Sequence, residues 1–322
     1  MGSCRKFGYW LCVLGVVSAT IAPAFGQGND AGGAEPVSLT TSDGVQLRLT
    51  YIPGSARKGT DQAKQTTPVV MLHDFKSTRT VFMPLAAQLA AAGQGGAQSP
   101  SFAVILVDMR AHGESTKQIS PQGGVADLDA AKLSKEGLYA MASLDMEAVR
   151  NFLVEKNDDA ELNLNKLCIV GSGLGAGVAA NWALQDWSAP PLAVGKQGQD
   201  VKAIVMISPR WSYNGLTMED AMKSLLLKKN VAWMLIYGAQ DQKLKPDFQR
   251  IEKQIERVHP ELKKTGGQGT RGFEVSPLAS SLQGDSLLSK SGDVVNGQIV
   301  KFLTENVAAL KLPWTNRTKK LP

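Results

Sequence analysis

The stretch "CIVGSGLGAGVAANWAL", residues 168–184, decides the fold. An apolar run opens it, a glycine-rich turn follows, and a segment rich in small residues completes it. Apolar runs without alternation are typical of strands buried on both faces, and glycines permit turns too tight for side chains. The stretch therefore predicts a buried strand, a sharp turn and a helix.

Similar apolar runs alternate with helical patterns along most of the chain. In the clearest helix, Phe248, Ile251 and Ile255 share one apolar stripe. Alternating strands and helices predict a doubly wound, mostly parallel β-sheet flanked by helices. Asp43-Gly44 adds the turn of an N-terminal antiparallel hairpin. The predicted parallel strands are residues 69–72, 102–107, 167–170, 203–208, 231–237 and 272–276.

The N-terminus has the pattern of a signal peptide. Basic residues are followed by an apolar centre and then by the small-x-small site Ala24-Phe25-Gly26. Cleavage there predicts an exported protein, periplasmic or secreted, without stable membrane insertion. An uncleaved membrane anchor is the alternative. The predicted organisation is a signal peptide (1–26), a disordered leader (27–36), one domain (37–311) and a loose tail (312–322).

Composition narrows the function classes. The net charge of +6 is spread over scattered lysines and arginines with few aromatic residues between them, which argues against nucleic-acid binding. Cys168 is the only cysteine left after signal cleavage, so no internal disulfide is expected. Asp74, Asp108, His112 and Glu114 lie in two separate turns without ligand spacing, so we predict no metal and no other cofactor.

Four motifs resemble the α/β-hydrolase family over roughly residues 37–310. They are "MLHDF" (71–75), "VDMRAHGES" (107–115), "VGSGLGAG" (170–177) and "YGAQD" (237–241). Each follows a predicted strand at the matching place in the chain. The resemblance implies an α/β-hydrolase fold whose active members use a serine nucleophile, a histidine base and an acid. The short segment between the fourth and fifth parallel strands implies a minimal lid or none.

The nucleophile position of this resemblance falls on a glycine. The family turn needs small residues two before and two after the nucleophile, and Gly171 and Gly175 hold those places. The position between them is Gly173. Placing Ser172 there instead would put a valine and a leucine at the small positions. A side chain at this turn costs about 1–3 kcal/mol of backbone strain, which glycine avoids when no nucleophile is needed.

The base position is also unfilled. The chain has three histidines, and none follows the last predicted strand, where the family places its base. His73 and His112 belong to the first two motifs, and His259 precedes that strand. Gln283 stands near the base position. Asp241 holds the acid position, where we expect a turn residue unless it has a partner to orient.

Three functions remain open. The first is a non-catalytic pseudo-hydrolase that binds an unknown small molecule or protein in the former active-site cleft. The alternative is an active serine hydrolase of esters or similar acyl substrates, in which Ser172 works through an unorthodox base. The backbone N–H groups of Phe75 and Gly173 would then stabilise the oxyanion. The expected cleft residues are His73, Asp74, Phe75, Ser172, Gly173, Leu174 and Asp241, with Trp211 and Tyr213 at its flank. A structural envelope protein, held at the membrane by an uncleaved N-terminus, is a third hypothesis.

Overall fold

The computed structural model describes residues 33–96, 99–190, 196–258 and 272–317. The predicted signal peptide, leader residues 27–32, His259 and tail residues 318–322 lie outside these ranges. No helix in the described ranges has both the length and the apolar character needed to cross a bilayer.

A mixed sheet of ten strands forms the centre of the described chain. Its parallel part has the order β12-β11-β8-β7-β3-β4, and β2 continues it antiparallel to β4. β2 also pairs with β1 in the N-terminal hairpin. This arrangement confirms the predicted fold class. The strands are β1 (Glu35–Thr40), β2 (Val45–Ile52), β3 (Thr67–Leu72), β4 (Phe102–Asp108), β5 (Lys117–Ile119), β6 (Val125–Asp127), β7 (Leu167–Ser172), β8 (Val201–Ile207), β9 (Ser212–Tyr213), β10 (Leu216–Thr217), β11 (Ala232–Gly238) and β12 (Phe273–Leu278).

Helices cover both faces of the sheet, which explains the unbroken apolar runs. Val69 and Val70 are neighbours on β3, yet they belong to two different core clusters on opposite faces. The helices α1 and α8 pack on the Val69 face, and α3, α4 and α7 pack on the Val70 face. The helices are α1 (Met83–Ala92), α2 (Lys135–Ala140), α3 (Met146–Asp158), α4 (Leu174–Ser188), α5 (Glu219–Lys223), α6 (Leu225–Asn230), α7 (Lys245–Glu256) and α8 (Gly284–Leu303).

Short elements account for most differences from the sequence-based picture. The hairpins β5–β6 and β9–β10 have strands of two or three residues, too short for a periodic pattern. β1 begins at Glu35, two residues inside the predicted leader. The segment between β8 and β11, for which the sequence implied a minimal lid or none, contains the β9–β10 hairpin and two short helices.

The first residues of the predicted tail are docked rather than loose. The amide groups of Asn163 and Asn165 donate to the backbone carbonyls of Leu312 and Pro313, at 3.1 and 2.6 Å. These contacts join positions about 150 residues apart, and local sequence patterns carry no information about them. The described tail therefore belongs to the domain.

Arg317 anchors this segment in a buried ion pair, which gives a test of its contribution to stability. Its guanidinium lies 2.7 Å from Asp200, and the two side chains are 2% and 0% exposed. Removing one partner of a buried pair costs about 3–5 kcal/mol. Because Arg150 and Lys196 still approach Asp200 at 3.3 and 3.0 Å, we expect Arg317→Ala to lower the free energy of unfolding by about 3 kcal/mol, the lower end of this range.

Denaturant unfolding would measure this change. Lys223→Ala is the matched control, since its 2.6 Å pair with Glu219 has side chains that are 68% and 43% exposed. Exposed pairs contribute about 0–1 kcal/mol. Equal losses in the two variants would show that the buried pair of Arg317 contributes no more to stability than an exposed pair.

Candidate functional site

The predicted site residues meet at the carboxyl ends of the parallel strands. His73 and Asp74 follow β3, Gly173 follows β7, and Asp241 comes three residues after the end of β11. Gln283 immediately precedes α8, the helix that follows β12. This end of an open α/β sheet is where ligands bind in such folds.

The turn between β7 and α4 has the geometry that the glycine pattern requires. Gly173 has φ +48° and ψ −108°, a conformation that side-chain-bearing residues rarely adopt. A Cβ on Gly171 would lie 2.5 Å from the carbonyl oxygen of Gly175. A Cβ on Gly175 would collide with the carbonyl oxygen of Leu72. Residue 173 thus stands at the apex of the turn, with no side chain there.

Ser172 lies one residue before the apex, at the end of β7, where it pairs with Ile207 of β8. It is 0% exposed. Its Oγ has no hydrogen-bond partner among the described residues. A serine within the sheet does not project from the turn as an elbow nucleophile does.

The carboxylate of Asp74 fills the space over the apex. Its Oδ1 accepts hydrogen bonds from the backbone N–H groups of Phe75 at 2.7 Å and Leu174 at 2.9 Å. A Cβ added to Gly173 would overlap this carboxylate. The carboxylate of Asp74 therefore lies where a side chain at residue 173 would project.

The two N–H groups bound by Asp74 correspond to the donors expected for an oxyanion. Phe75 follows the first motif, and Leu174 follows the apex residue. The sequence-based alternative used the N–H of Gly173, and here it was wrong. That N–H donates to the carbonyl of Ile207 at 2.9 Å and continues the β7–β8 ladder, so it does not face the cleft.

The side chains at the expected acid and base positions, Asp241 and Gln283, both form hydrogen bonds with backbone groups. Asp241 Oδ1 accepts from the backbone N–H groups of Lys243 at 2.8 Å and Leu244 at 3.2 Å, which caps the turn before α7. The amide of Gln283 donates to the carbonyl of Gly238 at 2.8 Å and accepts from its N–H at 3.4 Å. Neither contact orients a group over Gly173.

Asp285 is a cleft residue that the sequence did not reveal. It lies in the first turn of α8, and its Oδ2 accepts from the backbone N–H of Asp74 at 3.2 Å. Its Oδ1 is buried without a partner among the described residues. An acidic residue directly after Gly284 is a signal for a helix start, and it is the one local feature that could have pointed to Asp285.

The two described histidines are structural in their contacts. His73 is 0% exposed, its Nδ1 lies 2.7 Å from the carbonyl of Asp74, and its Nε2 accepts from the N–H of Met109 at 3.2 Å. These partners fix a neutral ring with the proton on Nδ1. His112 holds the carbonyl of Arg110 at 2.8 Å. Burial lowers the pKa of both histidines below the ordinary value, so both stay neutral at pH 7.

Asp108 and the turn after β4 form an ion-pair network. The carboxylate of Asp108 binds the guanidinium and the N–H of Arg79 and the N–H of Glu114. Ala111 in this turn has φ +64°, a conformation that favours glycine. Within the described residues, no group of three or more His, Cys, Asp or Glu is placed to hold a metal ion.

Aromatic side chains form one wall beside Asp74. The ring of Phe75 lies 5.3 Å from that of Tyr213 and 5.6 Å from that of His112. Phe75 and Tyr213 are both half-buried. Trp211, also expected at the flank, is buried beneath the guanidinium of Arg250 at 3.6 Å. The open wall of the cleft is therefore Phe75 and Tyr213.

Sequence comparison finds no matching family profile and no matching curated protein. Solved structures do match in fold. An esterase from Pyrococcus furiosus superposes with a TM-score of 0.56 at 16% identity, over 86% of this chain and 92% of its own. A peroxisomal α/β-hydrolase from Saccharomyces cerevisiae gives 0.53 at 14% identity, over 90% and 92%. An esterase from Exiguobacterium antarcticum gives 0.51 at 13% identity, over 84% and 100%. The mixed sheet, its flanking helices and these matches identify the chain as a protein with the α/β-hydrolase fold.

Proposed function

We propose that this chain is a non-catalytic pseudo-hydrolase that binds a small molecule or a protein in the cleft at the carboxyl ends of its strands. One observation carries the proposal. The carboxylate of Asp74 occupies the place of both the nucleophile side chain and the oxyanion.

Charge is the first reason. Acyl transfer needs N–H donors that are free to receive the negative charge that develops on the substrate oxygen. Here the N–H groups of Phe75 and Leu174 already bind a carboxylate. A second negative charge beside it would be repelled instead of stabilised.

The side chains at the triad positions are the second reason. Gly173 offers no hydroxyl or thiol to attack a carbonyl carbon. Gln283 cannot take up a proton at neutral pH, and both ends of its amide are engaged with Gly238. Ser172 stays within the buried sheet, and the described histidines use their Nδ1 atoms to hold backbone carbonyls.

The same cleft keeps features of a binding site. Phe75 and Tyr213 are half-exposed and form an apolar wall, while Asp74 and Asp285 are partly exposed at its floor. An apolar wall with a few convergent polar groups is the usual composition of a ligand site. A cleft with a binding surface but without catalytic groups is suited to binding a ligand without converting it.

Labelling with a fluorophosphonate probe tests the absence of serine chemistry. We expect no labelling of the folded mature chain, beside an active serine hydrolase as positive control, because no hydroxyl faces usable oxyanion donors. Ser172→Ala is the matched variant. Labelling that disappears in this variant would overturn the proposal and establish Ser172 as the nucleophile of an active hydrolase.

A double-mutant cycle tests the exclusion between residue 173 and Asp74. We expect Gly173→Ala to lower the free energy of unfolding by about 3 kcal/mol, since its Cβ overlaps the carboxylate in a packed site. In an Asp74→Gly background only the backbone strain remains, so the loss should fall to about 1 kcal/mol. Equal losses in both backgrounds would show that Asp74 does not fill this space.

Export is part of the proposal and is supported by the sequence pattern of residues 1–26 alone. We expect N-terminal sequencing of the protein from its native host to begin near Gln27. A mature chain that retains its first residues and sediments with membranes would favour the anchored alternative.

A further inference from the structure

A cavity lies at the opposite end of the sheet from the cleft. Its volume is about 680 Å³, within the usual range for small-molecule sites. Gln65, Ser101 and Lys166 line it, and each directly precedes or lies within two residues of the start of a parallel strand. Residues 308–311, which follow α8, form another wall. We call this space the basal cavity.

Lys166 is a buried cation in the basal cavity. The residue is 1% exposed. Its Nζ donates to the carbonyl oxygens of Gln65 and Ala308, each at 2.9 Å. An ammonium group has three protons, and no acceptor among the described residues takes the third.

No carboxylate of the described residues forms an ion pair with Lys166. Fully buried lysines without a charged partner are rare, because carbonyl dipoles only partly replace the lost hydration. Burial accordingly lowers the pKa of Lys166 to about 8. The thiol of Cys168, two residues further along the chain, is also buried. Burial raises the pKa of this thiol, so Cys168 supplies no negative charge to Lys166 at pH 7.

The remaining charges and walls of the basal cavity favour a small anion. Asp61 is the acidic residue at its edge, but its side chain is 99% exposed and pairs with Lys64 at 3.1 Å. Lys311 adds a second positive charge at the mouth. Pro100 and Leu310 supply apolar surface.

We propose that the basal cavity is a second ligand site, independent of the cleft, which binds a small carboxylate through the third proton of Lys166. A carboxylate fits better than a phosphate dianion, since one buried ammonium with apolar walls offers too few donors for two charges. An anion there would give the buried ammonium the partner that the chain itself does not provide.

Acetate is the probe for the first experiment. Backbone amide shifts of wild-type protein would be followed in sodium acetate and in sodium chloride at equal ionic strength and pH 7. We expect saturable acetate-specific shifts at Lys166, Ala308 and Leu310, and weaker shifts with inorganic phosphate. Shifts that follow ionic strength alone, that map elsewhere, or that are larger with phosphate would overturn the proposal.

Two substitutions separate ligand binding from a structural role. Lys166→Met should weaken acetate binding at least tenfold. Lys202→Met is the matched control, because burial also lowers the pKa of Lys202 to about 8 while its amine lies over Trp187, outside the basal cavity. It should bind acetate as the wild type does. Equal acetate binding in Lys166→Met and the wild type would contradict the proposal.

A further measurement uses the wild-type protein alone, so it does not depend on whether a variant folds. Bound acetate should raise the pKa of the Lys166 amine, measured by NMR titration, because a nearby negative charge favours the ammonium form. If Lys166 only holds the end of the helical stretch, its pKa will not respond to acetate, and the proposal fails.

Discussion

Asp74 joins three separate turns of this protein through its carboxylate and its backbone N–H. Its Oδ1 binds the N–H of Phe75 in its own turn and the N–H of Leu174 at the start of α4. The N–H of Asp74 in turn donates to Asp285 at the start of α8. The neighbouring backbone must lack side chains for this to happen, since a Cβ on Gly284 would lie 2.5 Å from Oδ2 of Asp74. The carboxylate of Asp74 can take this position only because residues 173 and 284 are both glycines.

Electrostatics explains why a partly buried carboxylate is stable there. The N-terminus of a helix carries a partial positive charge and unpaired N–H groups. α4 begins at Leu174 and α8 at Gly284, so Asp74 and Asp285 each meet such an end. In an acyl hydrolase the corresponding N–H groups wait for charge on the substrate. In this protein Asp74 supplies the negative charge, so both N–H groups already have an acceptor before any substrate binds.

The sequence predicted the features that depend on local patterns. Apolar runs mark strands covered on both faces, and Gly171 and Gly175 mark the tight turn because backbone atoms occupy the space of their side chains. It did not predict contacts between distant segments. Asp74 reaches the turn after β7, about 100 residues away, and Arg317 reaches Asp200 across more than 100 residues. The presence of Asp74 directly after His73 was visible in the sequence, but the space that its side chain fills depends on how the strands align.

The persistence of the elbow pattern has a physical explanation that does not involve chemistry. Gly171 and Gly175 are required wherever β7 turns into α4 this closely against β3, whether or not the apex carries a nucleophile. The flanking glycines of such a motif reflect close backbone packing, and only the central position can carry a reactive side chain. A glycine at the centre relieves backbone strain without disturbing the flanks, so the turn itself does not require a side chain at residue 173. The identity of residue 173, and of the group that lies over it, therefore separates the two functions that the rest of the motif leaves open.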